Sequence, residues 1–235
     1  MTIKALLFDK DGTLIDFAAT FAPATALVLR DLADGDDRLA DRLAQRVGFD
    51  FKTKKILPGS VLVAGSLENI SSCLMKETPQ TDFDAFNQKI DALYIKYSLE
   101  TVAPFGFLVP TLNKLAELGL PLGVATNDSE EAAHAHLNKI GVAERFVYVA
   151  GYDSGHGEKP GPGMVRAFID KMNLQPDEVC MIGDSPHDCI AGRRAGAVPV
   201  GVTSGGSDAA TLAPHADHII GNISALPDLV SQLNS

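Results

Sequence analysis

Leu6-Leu7-Phe8-Asp9-Lys10-Asp11-Gly12-Thr13-Leu14 is the stretch on which the reading of this chain turns. An apolar run of strand character, Ile3 to Phe8, ends abruptly in two aspartates one residue apart. In extended backbone, residues i and i+2 face the same side. The carboxylates of Asp9 and Asp11 are therefore expected to enter one small volume at the end of a buried strand. Two like charges that close repel, unless a cation sits between them or one holds a proton. Gly12 permits a turn that a residue with a side chain would resist. A pair of turn aspartates before glycine looks the same in isolation, so the metal-assisted carboxylate site suggested here needs further parts elsewhere in the chain.

The rest of the composition narrows the class. At 235 residues the chain suits one large domain or a core with an insertion. Hydrophobic residues make up 46% and charged residues 21%, enough apolar material for a substantial core. The formal net charge of -10 and the absence of any lysine- or arginine-rich run argue against nucleic acid as a partner. Cys73, Cys180 and Cys189 are scattered, with no CxxC, which fits reduced thiols in a cytoplasm. No signal peptide is read before Ile3, and the stretch Ala18 to Leu29 is too short to span a bilayer. A cytoplasmic protein with no membrane partner is expected. The Asn-x-Ser matches at Asn69, Asn127 and Asn222 are read as chance. The sequence carries no signal of oligomeric state.

Along the chain, Ile3 to Phe8 reads as a strand. Residues 17–103 then read as helical, with helices expected near Ala24–Leu32, Arg38–Val47, Leu67–Lys76 and Phe83–Tyr97, no strand, and Ser66 and Asp82 as N-caps. After Pro104-Phe105-Gly106 the rhythm alternates. Helices are expected at Val109–Leu118, from Asp128 to Gly141, from Pro162 to Met172, at Pro186–Ala195 and at Ala225–Leu233. Between them fall strands at Leu120–Thr126, Phe146–Ala150, Glu178–Gly183, Val198–Val202 and His218–Ile220. Strands alternating with helices imply a parallel sheet covered on both faces, with ligands at the edge where the strands end. The helical segment reads as a lid inserted after the first strand.

Polar clusters follow four of the strands. Asp9 and Asp11 follow the first. Thr126-Asn127-Asp128, then Gly157-Glu158-Lys159-Pro160, then Gly183-Asp184-Ser185-Pro186-His187-Asp188 follow later ones. In a parallel sheet these converge. Their carboxylates, lysine, hydroxyl and amide suit a hard divalent cation plus a phosphate. With all four motifs in order, the chain resembles a phosphatase of the haloacid dehalogenase superfamily, in the branch with a helical cap after the first strand that includes phosphoglycolate phosphatase.

The resemblance implies a Rossmann-like, doubly wound α/β core formed by residues 1–16 and 104–235. Residues 17–103 would form an inserted α-helical cap that sets specificity. It implies a magnesium-dependent hydrolase acting on a small phosphorylated metabolite through an aspartyl-phosphate. Asp9 would be the nucleophile and Asp11 the acid and base. Magnesium would be held by Asp9, the backbone carbonyl of Asp11, and Asp184. Asp188 would orient the metal's waters or complete its shell. The Thr126 hydroxyl and the Asn127 amide would bind phosphoryl oxygens, and Lys159 would neutralise phosphate charge and steady the carboxylates.

Plainer readings stand beside these. Asp128 reads mostly as a helix cap with Glu131, and Asp184 and Asp188 also suit a helix N-terminus. His134 and His136 face different ways, against a zinc pair. His215 and His218 read as surface residues, and His156 and His187 as structural. Arg38, Arg42, Lys52, Lys54 and Lys55 suit a solvated helix face better than substrate contact, and Phe17 is a candidate to pack against substrate. Position 10 departs from the phosphoglycolate phosphatase branch, where it is usually apolar. Strand alternation sends the Lys10 side chain away from Asp9 and Asp11, toward another carboxylate or solvent. Three other functions share parts of this pattern: a phosphosugar mutase of the β-phosphoglucomutase kind, a haloacid dehalogenase, which lacks the second aspartate, and a phosphate-binding regulatory protein without catalysis.

Overall fold

A computed structural model describes residues 2–235. In chain order, strand β1 (Ala5–Phe8) is followed by α1 (Phe17–Ala33), α2 (Asp37–Val47), β2 (Phe49–Asp50), β3 (Lys55–Ile56), α3 (Val61–Ala64), α4 (Leu67–Met75) and α5 (Phe83–Thr101). Next come α6 (Leu108–Glu117), β4 (Leu122–Ala125), α7 (Glu130–Lys139), β5 (Tyr148–Ala150), α8 (Gly163–Met172) and β6 (Val179–Gly183). The chain ends with α9 (Pro186–Ala195), β7 (Val198–Val202), α10 (Ala209–Leu212), β8 (His218–Ile220) and α11 (Leu226–Leu233). These elements divide into two compact units, residues 1–16 with 104–235, and residues 17–103.

The first unit is built on a six-stranded sheet in the order β5-β4-β1-β6-β7-β8, with every neighbouring pair parallel. Every residue of β1, β4, β6 and β7 is buried. This is why these strands read as continuous apolar runs and not as alternating ones. Ala5 and Leu7 of β1 pack with Met164, Val165 and Phe168 of α8 and with Ala191 of α9. The intervening Leu6 and Phe8 are equally buried. The chain leaves β1 for β4 and β5 on one side, then fills β6, β7 and β8 on the other. The strand order thus reverses at β1, the position at which open α/β sheets bind ligands.

The second unit is a helical cluster whose core includes Leu29 of α1, Leu43 and Val47 of α2, Leu74 of α4, and Phe86 and Ile90 of α5. Thr20 and the end of α5 are tied together, with the Thr101 hydroxyl donating to the Thr20 carbonyl at 2.7 Å. Ser66 and Asp82 cap α4 and α5, accepting from Asn69 N and Ala85 N. Three features differ from the sequence expectation, one of them the short helix α3 (Val61–Ala64), which was not foreseen. Helix α1 begins at Phe17 and continues through Pro23 instead of starting after it. Residues 49–56 hold the two-residue antiparallel strands β2 and β3, too short to show alternation in sequence.

Candidate active site

The sheet register brings the polar clusters to one edge. Phe8 of β1 lies opposite Val124 of β4 and Ile182 of β6, so the residues that follow all three strands leave the sheet at one level. The Asp9 amide continues the ladder by one bond, donating to the Ile182 carbonyl at 2.7 Å. Asp9, Asp184 and Asp188 each offer a carboxylate oxygen within 4.8 Å of the others. Lys159 Nζ is shared among them. It lies 2.6 Å from Asp9 Oδ1 and 2.6 Å from Asp188 Oδ1, and it donates to the Ala125 carbonyl at 2.8 Å. The three N–H donors of the ammonium are thus all used.

Backbone geometry makes the close approach possible. Gly12 adopts φ +86, and a Cβ there would lie 2.5 Å from Asp184 Oδ2. Gly206, in the loop after β7, donates its N–H to Asp184 Oδ2 at 2.7 Å, while Ser204 Oγ donates to the Gly12 carbonyl at 2.8 Å. At the start of α9, Asp188 Oδ2 accepts from both the N–H and the hydroxyl of Ser185. The Ser204-Gly205-Gly206 loop was not singled out from sequence. Its signal was available, because adjacent glycines in the loop after a buried strand mark a close backbone approach.

Electrostatics follows from this crowding. Burial is the main reason that the Asp9 carboxyl is held well above the ordinary carboxylate range. Lys159 opposes the shift, and Asp188 and Asp184 add to it. Asp184 is pushed up to about 7, first by burial and then by Asp188. Burial alone would lower the Lys159 ammonium, but Asp188 and Asp9 outweigh it and hold the group above its ordinary range. Three carboxylates face one ammonium. All are oxygen donors, and the anionic forms of Asp9 and Asp184 are disfavoured as they stand. This is the donor set and the charge demand that a hard divalent cation meets, so the residues fit magnesium.

The other expected phosphate groups are differently placed. Thr126 is buried, and its Oγ1 accepts from Asp128 N at 3.1 Å, which leaves its O–H able to donate. The side-chain amide of Asn127 is committed to the Lys159 backbone. Nδ2 donates to the Lys159 carbonyl at 2.9 Å and Oδ1 accepts from Lys159 N at 2.8 Å. Asn127 therefore fixes the loop that carries Lys159, an arrangement that spacing along the chain does not reveal.

Asp11 and Lys10 depart most from the sequence reading. The Asp11 carboxylate lies outside the three-carboxylate group and pairs with Lys10, Nζ to Oδ1 at 2.8 Å. Lys10 is fully buried, and its Nζ also lies 3.0 Å from Asp128 Oδ2 and 3.1 Å from His136 Nδ1. Strand alternation does not apply here because β1 ends at Phe8, Lys10 lies in a bend and residues 12–14 form a turn. Helix α7 is capped by Ser129, which accepts from Ala132 N, and not by Asp128. Asp128 is thereby released to face Lys10. Burial raises Asp11 despite Lys10, while burial and the Lys10 charge push His136 down to about 4.

The remaining sequence candidates lie elsewhere. His134 is exposed, whereas His136 is buried. His156 and His187 are exposed, and His215 and His218 are half-buried. In the helical unit Arg38, Lys52, Lys54 and Lys55 are exposed. Arg42 shares Glu77 with Arg46, and the Phe17 ring packs on Phe21. Among the described residues, no helix is long and apolar enough to cross a membrane.

Residues 3–196 match the family described as haloacid dehalogenase-like hydrolase. A phosphoglycolate phosphatase of Neisseria meningitidis is 30% identical over 243 residues, covering 98% of this chain and 94% of that protein. A phosphoglycolate phosphatase of Rhodospirillum rubrum is 31% identical over 205 residues, covering 86% and 80%. Among solved structures, a predicted phosphoglycolate phosphatase from Haemophilus somnus superposes with a TM-score of 0.72 at 21% identity, covering 97% of this chain and 98% of that one. A protein provisionally named beta-phosphoglucomutase from Thermotoga maritima superposes with a TM-score of 0.70 at 17% identity, covering 98% and 100%. At those identities the structures speak to the fold alone. The chain belongs to the haloacid dehalogenase-like hydrolases, and within them it is a phosphatase.

Proposed function

We propose that the enzyme hydrolyses a small phosphomonoester, phosphoglycolate or a sugar phosphate, through an aspartyl-phosphate on Asp9. Magnesium is its cofactor and residues 17–103 select the substrate. The observation that carries this reading is the setting of Asp9: at the end of the central strand, buried, paired with Lys159 at 2.6 Å and grouped with Asp184 and Asp188. An Asp9 carboxylate oxygen attacks phosphorus as the bond from phosphorus to the ester oxygen breaks. Asp11 gives its proton to the leaving alkoxide. In the second half Asp11 takes a proton from water, whose oxygen attacks phosphorus to release inorganic phosphate and restore Asp9. Asp9, Asp184 and the Asp11 carbonyl would hold magnesium, with Asp188 completing or ordering its shell, and the ion would supply charge stabilisation for the transferring phosphoryl group. Lys159 adds a fixed positive charge and Thr126 an O–H donor. The nature of the relatives favours phosphoglycolate as the first substrate to try.

The test is phosphate release from a panel of small phosphorylated metabolites with magnesium. Asp9→Asn is expected to lower turnover by about four orders of magnitude or more, as removal of a covalent nucleophile does, with the fold retained by circular dichroism. Metal-dependent hydrolysis surviving in that variant would overturn the aspartyl-phosphate route. Isomerisation of a hexose phosphate in place of phosphate release would make the protein a mutase. Binding without turnover would make it a phosphate-binding protein. Chloride release from haloacids without metal would make it a dehalogenase, against which the presence of Asp11 counts.

A further inference from the structure

Lys10 belongs to no step described so far, yet it is fully buried and contacts residues from three parts of the fold. An ammonium has three N–H donors and no acceptor. Here they face Asp11 Oδ1 at 2.8 Å in the turn after β1, Asp128 Oδ2 at 3.0 Å in the loop after β4, and His136 Nδ1 at 3.1 Å on α7. Burying a charged amine is costly unless it is paired. An apolar residue would fill the same space without that cost.

We propose that Lys10 is a positioning residue for Asp11, holding Oδ1 as a hydrogen-bond acceptor so that proton exchange with the leaving group and with water runs through Oδ2. This rests on the aspartyl-phosphate reading above, in which Asp11 carries the proton. The chemistry of the contacts gives the reason. Because Nζ donates to Oδ1, the proton of Asp11 in its acid form is carried on Oδ2. In the first half-reaction the Oδ2–H bond breaks and the proton moves to the leaving alkoxide. In the second, a water O–H bond breaks and its proton returns to Oδ2. Lys10 stays charged and gives up no proton in either half.

Asp128 makes the arrangement workable. Asp128 Oδ2, 3.0 Å from Nζ, gives the buried ammonium a second carboxylate, so Lys10 does not depend on Asp11 alone for a partner. His136 must accept through Nδ1, since Lys10 has no lone pair to offer, and so it carries its hydrogen on Nε2 as a neutral ring. The three partners therefore hold Nζ in one place, and Nζ in turn limits rotation of the Asp11 carboxyl. A catalytic group displaced by about 1 Å can lose about 100-fold in rate.

The experiment compares kcat/KM, which reports the steps up to leaving-group departure, for two magnesium-supported substrates. One is an alkyl phosphate, whose alkoxide needs a proton to leave. The other is 2,4-dinitrophenyl phosphate, whose phenolate leaves without one. Lys10→Met is expected to lower kcat/KM for the alkyl ester about 100-fold while leaving the dinitrophenyl ester close to wild type, with magnesium affinity unchanged. Equal losses on both esters, or none on either, would overturn the proposal. Should Lys10→Met fail to fold, the Lys10→Met/Asp128→Asn double variant removes both members of the buried pair and must show the same split. A uniform loss there would overturn the proposal too. Asp11→Asn serves as the reference. If it shows no dependence on leaving group, the assignment of Asp11 as the acid fails. If it shows the dependence and the Lys10 variants do not, only the role of Lys10 fails.

Discussion

Lys159 and Lys10 are both buried lysines that follow strands of one parallel sheet, and both are surrounded by carboxylates, yet their charge balance is opposite in kind. Lys159 is shared by Asp9 and Asp188, with Asp184 in the same group, so three carboxylates answer one ammonium and two formal negative charges are left over. Lys10 is shared by Asp11 and Asp128, so it keeps a carboxylate partner whichever of the two is engaged elsewhere. The first cluster has an unmet demand for positive charge, which is what a divalent ion supplies. The second holds two carboxylates and one ammonium and, in the proposed reaction, exchanges one proton at Asp11. The proposed nucleophile and the proposed acid sit two residues apart in sequence, and the two lysines divide their environments.

The contrast can be broken most forcefully at Lys159. Lys159→Met leaves Asp9 and Asp188 buried without their ammonium, and is expected to cost about 3–5 kcal/mol of stability in denaturant unfolding without metal. The loss should shrink when magnesium is added, because the ion answers the same carboxylates. A loss unchanged by magnesium would show that Lys159 serves the fold and not an ion site.

In the Lys10 cluster, His136 gives the next largest effect. Its folded value of about 4 lies below the ordinary 6.5. Between those values the unfolded chain takes up a proton that the folded protein refuses, so stability falls as pH drops from 6.5 through 4. The full cost is about 3 kcal/mol at 1.36 kcal/mol per pKa unit. His136→Gln, which keeps an acceptor, should flatten that part of the urea-unfolding profile. Identical profiles for the two proteins would sink the assignment of a neutral His136.

Magnesium itself should act most strongly at higher pH. Asp184 is raised from 3.8 to about 7. In the metal-free protein its contribution is fully present below the unfolded value and is lost as pH rises through the folded one. The ion binds the deprotonated ligands, so the stabilisation it gives should be larger at pH 8 than at pH 6. At a hundredfold excess over the dissociation constant it amounts to about 2.7 kcal/mol, read as a rise in the unfolding midpoint. A rise larger at pH 6 would break the link between Asp184 and the ion.

Much of this architecture was legible in the chain. The strand ending before Asp9, helix α9 from Pro186 to its Gly196 cap, and β7 at Val198–Val202 announce themselves through local patterns: buried runs, proline at the first turn, glycine after the last. What depended on local pattern alone was also where the reading slipped. The helix expected near Ala24 begins at Phe17, with Pro23 inside it. Alternation was carried past Phe8 into a bend, so the expected separation of Lys10 from Asp11 does not hold, although its expected pairing with another carboxylate does, at Asp128. Asn127 reads as a phosphate ligand from its motif, and its engagement with Lys159 needs a loop 32 residues further along the chain.

The sequence by itself determined that the core is a parallel sheet and which residue types are delivered to one edge, because burial and turn chemistry act over a few neighbouring positions; the order of the strands came from the structure. Only the tertiary structure decided which carboxylate each lysine answers. Those pairings join loops after different strands, and the cost of burying a charge depends on what surrounds it in space. Lys10 is the clearest case: its neighbours in sequence mark an active site, and its neighbours in space give it work to do there.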